Sequence, residues 1–558
     1  LVEDTVDSMT EAAGLFGYAF AEVNPEFDRD KETKTMNLVI KVSDAPRVYV
    51  ERIDINGNTN TQDKVVRREF RVAEGDAFNS FQVKRSSDRI QSLGFFQEKL
   101  EIEQKQGSAP DRIILEANVE EQSTGELQLS AGFSSIERFI INASIRQRNF
   151  RGKGQELRAS VNYSTFSKSI ELGFTEPYLL DKNIALGGDI FRRDYNSFNF
   201  VNNNRNTTYQ QLTTGFQVRV GVPLTEFWSV AGRYGLSLDD VTLDRQQFFF
   251  NGQCDPLLAG RFLCDAIGKR TTSSVGYSLV FDNLNNRLRP SAGQRAVFSQ
   301  DFAGLGGSVK YLRTRFDADK YWKVLGNFIF SVGFEAGYVL PFGSDRGPGV
   351  DKVRLTDRFF LGEPEMRGFD IRGVGPRVQR QRYDLATATL ITDRNQITDD
   401  ALGGRAYYKG RVELEIPLGS GAKSLGIRPS LFMDVGSVFG VRRPNLTTLA
   451  NFTDPSDNRI KFQCRNSTTG VTTFATLQTP TAPPSATNQF TTCPNTTTPF
   501  APFNEKFLGD SIKPRLSVGF GFNWKSPFGP FRIDIAKALL KEPGDETKLF
   551  TFNVGTQF

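Results

Sequence analysis

Histidine is absent from all 558 residues, and that absence removes whole classes of chemistry. Without imidazole there is no Ser-His-Asp or Cys-His catalysis, and no His-containing zinc site. Methionine and cysteine occur only four times each, and the cysteines lack the CxxC clustering of a thiolate metal site. No apolar run approaches the roughly 18 residues that a membrane helix needs. Clustered basic runs are missing too, which leaves nucleic acid without a docking stripe. The segment Gly304-Leu305-Gly306-Gly307-Ser308-Val309-Lys310 lacks the Gly-Lys-Ser/Thr spacing of a phosphate loop and is bounded by strand patterns rather than a helix. These gaps predict a protein with no catalytic residues, no cofactor and no resident metal.

Glycine (50) and phenylalanine (49) are what the chain has in abundance. Its net charge of +5 is unevenly spread: residues 1–123 hold 16 basic against 24 acidic side chains, and residues 124–558 hold 53 against 40. Such asymmetry marks two regions in different surroundings.

The acidic region contains a repeat. Helical patterns end at Gly17-Tyr18 and again, 77 positions later, at Gly94-Phe95, and the strand ending at Val42 returns as the strand ending at Val119. The complete copy opens on the alternating stretch Val48–Ile55. An Asn56-Gly57-Asn58 turn follows, then helices near 63–70 and 80–93, then two more strands. This is a β-α-α-β-β module spanning 46–123. Residues 1–45 read as the C-terminal part of a preceding module, so the chain begins inside one. Sheets in such small modules have edge strands, and an edge can take on an extended peptide by backbone pairing.

From about residue 124 the period becomes two. Phe328, Phe330, Val332, Phe334, Ala336, Tyr338 and Leu340 share one face, opposite Ser331, Gly333, Glu335 and Gly337. The final residues set Phe550, Phe552, Val554 and Phe558 against Thr551, Asn553, Gly555 and Gln557. Apolar-out, polar-in strands of about ten residues predict an outer-membrane barrel, which must close because lipid satisfies no backbone group. Sixteen segments can be counted between 125 and 558, an even number as in bacterial barrels. The three long connections, 244–269, 341–402 and 440–512, each follow an odd-numbered strand, so all emerge on one side. The cysteines fall in two of them as local pairs, Cys254 with Cys264 and Cys464 with Cys493, which suits disulfides in an oxidising compartment. The Thr-, Asn- and Pro-rich composition of 440–512 predicts mobility.

Four motifs in combination carry a family resemblance: Thr175-Glu176-Pro177-Tyr178, Met366-Arg367-Gly368-Phe369, Phe432-Met433-Asp434-Val435-Gly436-Ser437-Val438, and Ser526-Pro527-Phe528-Gly529-Pro530-Phe531-Arg532. The modules resemble POTRA domains, and the barrel resembles that of the BamA family, the outer-membrane protein assembly factors. Members often carry five such modules; here there is one and part of another. The resemblance implies that 341–402 folds into the barrel and that Arg367, within Met366–Phe369, meets Glu413 or Asp434. Parity agrees: Arg411, Glu413 and Glu415 share the polar face of one strand, and Asp434 shares that of the next with Arg428 and Ser430. One guanidinium between two carboxylates is a workable latch.

The favoured function is nucleotide-independent folding and insertion of outer-membrane proteins. Its expected partners are unfolded outer-membrane protein clients, the lipoprotein subunits of an assembly complex, and membrane lipid. The barrel would sit in the bacterial outer membrane and the modules in the periplasm. A lateral gate would form where the first strand (Gly125, Leu129) meets the last (Asn553, Gly555, Phe558), with Gly555 favouring a bend. The alternative is a two-partner-secretion type transporter exporting one polypeptide through the lumen.

Overall fold

The computed structural model describes the chain except for residues 1, 19–20, 22, 31–34, 43–46, 98–101, 135–137, 202–203, 287–289, 325–327, 384–388, 419–425, 448–462, 467–471, 475–496, 501, 527–528 and 555–558. The chain forms two compact units. One comprises Leu1–Gln128, Ser144–Ala159 and Gly173–Pro177; the other comprises Leu129–Ala143, Ser160–Leu172 and Tyr178–Phe558.

In the first unit a helix, Val2–Leu15, precedes an antiparallel hairpin of Val23–Asp30 with Thr35–Val42. A three-stranded sheet follows. Its central strand Arg112–Asn118 pairs in parallel with Tyr49–Asn56 and antiparallel with Ile102–Gln106. Alternation fixes which side is buried: Ile113, Leu115 and Ala117 point into the core while Arg112 and Asn118 are exposed. Val48, Val50, Ile53 and Phe78 complete that core. The helix Ser80–Ser92 starts where the Asn79 side chain accepts a bond from the Gln82 amide at 3.0 Å, a cap that fills an otherwise orphaned donor. The turn after Asn56 is held by Glu121, whose carboxylate accepts from the Thr59 hydroxyl at 2.8 Å and from the amides of Asn60 and Thr61 at 2.9 and 2.6 Å. Partial burial pushes the Glu121 carboxyl up, but these donors outweigh it and hold it at about 2, below its ordinary 4.5.

The remaining sheet is a closed barrel of sixteen antiparallel strands, the number expected from the alternation. Those that matter most below are the first (Gly125–Ser134), eleventh (Ile329–Pro341), twelfth (Ala406–Glu415), thirteenth (Ile427–Phe439), fourteenth (Arg515–Ser526), fifteenth (Gly529–Leu540) and sixteenth (Phe550–Val554). Leu127, Leu129, Phe334, Leu431 and Phe520 are exposed on the outer face, whereas Asp434, Ser517 and Asp534 on the inner face are buried.

The long connections are folded rather than loose where described. Arg377–Arg382 pairs with Thr398–Ala401 on one side and with Phe503–Leu508 on the other. The mobility expected of 440–512 therefore does not extend to its end. There Phe503 is buried, and Glu505 meets the Arg380 guanidinium at 2.6 Å. Composition missed this because the strand draws its partner from another connection. The segment 244–269 packs Ala259, Leu263 and Ala266 against Leu355, Val378 and Leu402.

Candidate functional site

The connection after the eleventh strand carries an apolar patch, and the inner wall supplies its complement. Leu361, Met366, Phe369 and Val374 cluster with Val438 of the thirteenth strand, all of them buried. Gly368 makes the close approach possible. Its φ is +85°, and a β-carbon there would lie 2.9 Å from Ser517 Cβ and 3.2 Å from Ala536 Cβ. Backbone conformation and space thus both call for glycine. The Ser517 hydroxyl also donates to the Arg367 carbonyl at 2.5 Å.

Arg367 lies 2% exposed at the centre of a charged network. Its Nε and Nη2 donate to the two oxygens of Asp434, each at 2.8 Å, and its amide adds a bond to Asp434 at 3.1 Å. Nη1 reaches Glu413 at 3.1 Å and lies 3.9 Å from Asp534. The Cζ atom sits 3.3 Å from the centroid of the Phe432 ring, a cation over an aromatic face. Second partners hold each acid in place. Ser430 donates to Glu413 at 2.6 Å, Arg411 to Asp434 at 3.1 Å, and Arg532 to Asp534 at 2.7 Å.

Three guanidiniums thus face three carboxylates. Burying charge is tolerable only when it is matched in this way, and every group is committed to another. The arrangement is suited to tethering a loop to four strands.

The structure brings Met366, Arg367, Gly368, Phe369, Glu413 and Asp434 together. Sequence reasoning missed Ser517 and Asp534, and it placed Phe432 and Arg532 within motifs without assigning them to this site. Arg532 and Asp534 were readable in principle, since they alternate with Phe531, Ile533 and Ile535 on the fifteenth strand. Cys254 and Cys264 are joined, with Cα atoms 5.6 Å apart. Cys493 lies outside the described residues, so the pairing of Cys464 with Cys493 does too. So do Gly555, Phe558, Pro527 and Phe528.

At the seam the structure supplies a register that the sequence left open. Asn553 pairs with Ser134, and Val554 with Phe133; Leu129 and Gly125 lie further along the first strand and are not opposite Asn553. A strand's register follows from a connecting turn, and chain ends have none. Ser134 and Asn553 are both buried on the inner face.

A closed barrel with a loop tethered to its inner wall, and an α+β module before it in the chain, defines a modular outer-membrane β-barrel protein. Residues 149–558 match the Omp85 superfamily domain, and residues 48–122 match the surface antigen variable number repeat, the POTRA module. The chain belongs to the Omp85 superfamily. Outer membrane protein assembly factor BamA of Neorickettsia risticii is 29% identical over 543 residues, covering 97% of this chain and 59% of that protein. The same factor from Neisseria meningitidis serogroup B is 25% identical over 556 residues, covering 98% and 61%. The chain spans about three-fifths of the length of these relatives. The crystal structure of BamA from Haemophilus ducreyi lacking POTRA domains 1-3 shares the fold. Its TM-score is 0.66 at 22% identity, covering 100% of this chain and 93% of that one.

Proposed function

We propose that this chain is the membrane-embedded part of an assembly factor that folds and inserts other outer-membrane proteins without nucleotide hydrolysis. The observation that carries the reading is the seam. The barrel closes between its first and last strands, where Asn553 pairs with Ser134 and Val554 with Phe133, two strands that no turn connects. Register there is not fixed by a connecting turn, and unpaired backbone in lipid costs several kcal/mol per group, so this seam is the natural place for a client strand to add by backbone pairing. Arg367, held by Glu413 and Asp434, would keep the loop on the inner wall while the seam works. Cys254 and Cys264, and by the same logic Cys464 and Cys493, would staple the connections on the external side.

The modules would face the periplasm. Their edge strands Tyr49–Asn56 and Ile102–Gln106 would receive extended clients, and lipoprotein subunits would complete the complex around a lipid-embedded barrel. The relatives' name, assembly factor, supports this choice over a dedicated exporter. Depleting the protein tests it. Loss of many unrelated outer-membrane proteins is expected; loss of a single secreted polypeptide, with the others intact, would favour export through the lumen instead.

A further inference from the structure

The residues just before the last strand are held by buried charge and by backbone bonds. Asp545 is fully buried and receives Arg515 Nε at 2.9 Å, and Arg515 is equally inaccessible. The other Asp545 contacts come from the amides of Glu542 at 2.7 Å and Gly375 at 3.4 Å. Next in sequence, the backbone runs alongside the tethered loop. Glu546 accepts from the Asp370 amide at 2.9 Å and donates to the Gly373 carbonyl at 2.8 Å, and the Lys548 amide donates to the Gly368 carbonyl at 3.1 Å. The Lys548 ammonium meets the buried Glu363 at 2.7 Å. The tethered loop just beyond Arg367 is therefore bonded, through backbone, to the approach of the last strand.

We propose that Asp545, Glu546 and Lys548 form a clamp that couples the tethered loop to the seam, making Asp545 and Lys548 positioning residues for the last strand. The physical reason is leverage. Phe550 lies only two residues beyond Lys548, and a strand rises about 3.3 Å per residue. Fixing Lys548 thus sets where Asn553 stands opposite Ser134. On its other flank the last strand is already held by the fifteenth at five positions, Phe531 to Ile535. A displacement of the loop is thereby passed to the approach of the last strand, in addition to the strands that Arg367 touches directly.

The proposal deepens the gated reading of the function and rests on it, yet it can be tested apart from it. In the full chain, Ser134→Cys with Asn553→Cys reports seam pairing by its rate of oxidative crosslinking, whatever the activity. Adding Asp545→Asn, or separately Lys548→Met, should slow that rate about fivefold or more, the lower end of ordinary coupling between sites. The barrel should remain folded by heat-modifiable gel mobility, and a reporter cysteine pair at Ser278 and Ser299, which face each other between the eighth strand, Gly268–Asp282, and the ninth, Gly293–Ala303, should crosslink unchanged. Folded variants with an unaltered seam rate would overturn the clamp. So would loss of folding in both variants, because the connection would then serve the barrel as a whole. A clamp that passes, in a protein that stays active with its seam crosslinked, would sink the gated reading and leave the coupling standing.

Discussion

Arg367 and Asp434 meet three times: two parallel side-chain bonds of 2.8 Å and one from the arginine's own amide at 3.1 Å. A lysine cannot reproduce that fork, since its ammonium is a point charge on a flexible stem. Arg367→Lys should therefore weaken assembly activity despite keeping the charge. Arg367→Glu should do far more, because breaking a buried pair costs about 3–5 kcal/mol and here a fourth carboxylate would join three. The check is complementation of a depleted strain, with gel mobility reporting the folded fraction. Full complementation by Arg367→Glu would exclude the latch.

Gly368→Ala separates geometry from charge. The positive φ alone costs a non-glycine residue about 1–3 kcal/mol, and the β-carbon would also press on Ser517 at 2.9 Å. Adding Ser517→Gly removes the Ser517 bond to the Arg367 carbonyl but should relieve the nearer contact, leaving the conformational part and the approach to Ala536. A thermal-unfolding cycle of the two variants would show this as a non-additive pair. Additive losses would mean that the loop shifts away from the wall.

Much of this site was legible from alternation. Glu413 and Asp434 each stand on the polar face of a strand, and a period of two assigns faces without any tertiary knowledge. The same rule found sixteen strands. It could not find the Asp545–Arg515 pair, since Asp545 lies in an irregular connection where no period operates. Nor could it align Asn553 with Ser134, whose partnership closes the barrel across more than 400 residues of chain. The strand Phe503–Leu508 was hidden for a related reason: its surroundings are Thr- and Pro-rich, and its partner Arg377–Arg382 comes from a different connection.

Glu121 gives the module a pH dependence of definite sign. Its carboxyl is held at about 2 against an ordinary 4.5, so the folded state prefers the ionised form. The stabilisation is fully present above about 4.5 and is lost as pH falls through about 2. Glu121→Gln removes the charge at every pH and should cost about 1 kcal/mol, the ordinary worth of such bonds. Hydrogen exchange at the Asn60 and Thr61 amides, corrected for intrinsic pH dependence, should accelerate at pH 7 in the variant and only at acid pH in the parent. Equal protection at pH 7 would refute the assignment.

Cys254 and Cys264 close a short loop, sequence separation 10, around residues that pack on Leu355 and Leu402. Chain-entropy reasoning gives loops of about 15 residues roughly 3 kcal/mol. Replacing both cysteines by serine should leave barrel mobility on gels unchanged while hastening proteolysis within 244–269. Thiol labelling of the unfolded, unreduced protein should find no free cysteine among the four. Four labelled thiols would place these connections in a reducing compartment and reverse the topology.

The proposed function places client entry at the seam, and the register there specifies the test. Ser134 and Asn553 stand directly opposite each other on the inner face, where facing β-carbons lie about 4.5–5.5 Å apart, near enough for a disulfide after a small adjustment. Ser134→Cys with Asn553→Cys should block client insertion when oxidised and regain it when reduced. Crosslinking alone proves little, since any disulfide stiffens a barrel. The matched control is Ser278→Cys with Ser299→Cys, opposite each other on adjacent interior strands, which should oxidise without loss of insertion. Loss in both would indicate that overall flexibility matters and that no single strand pair is special. Full activity of the oxidised seam variant would mean that clients never enter between the first and last strands, leaving passage through the lumen, past the Arg367 tether, as the remaining route.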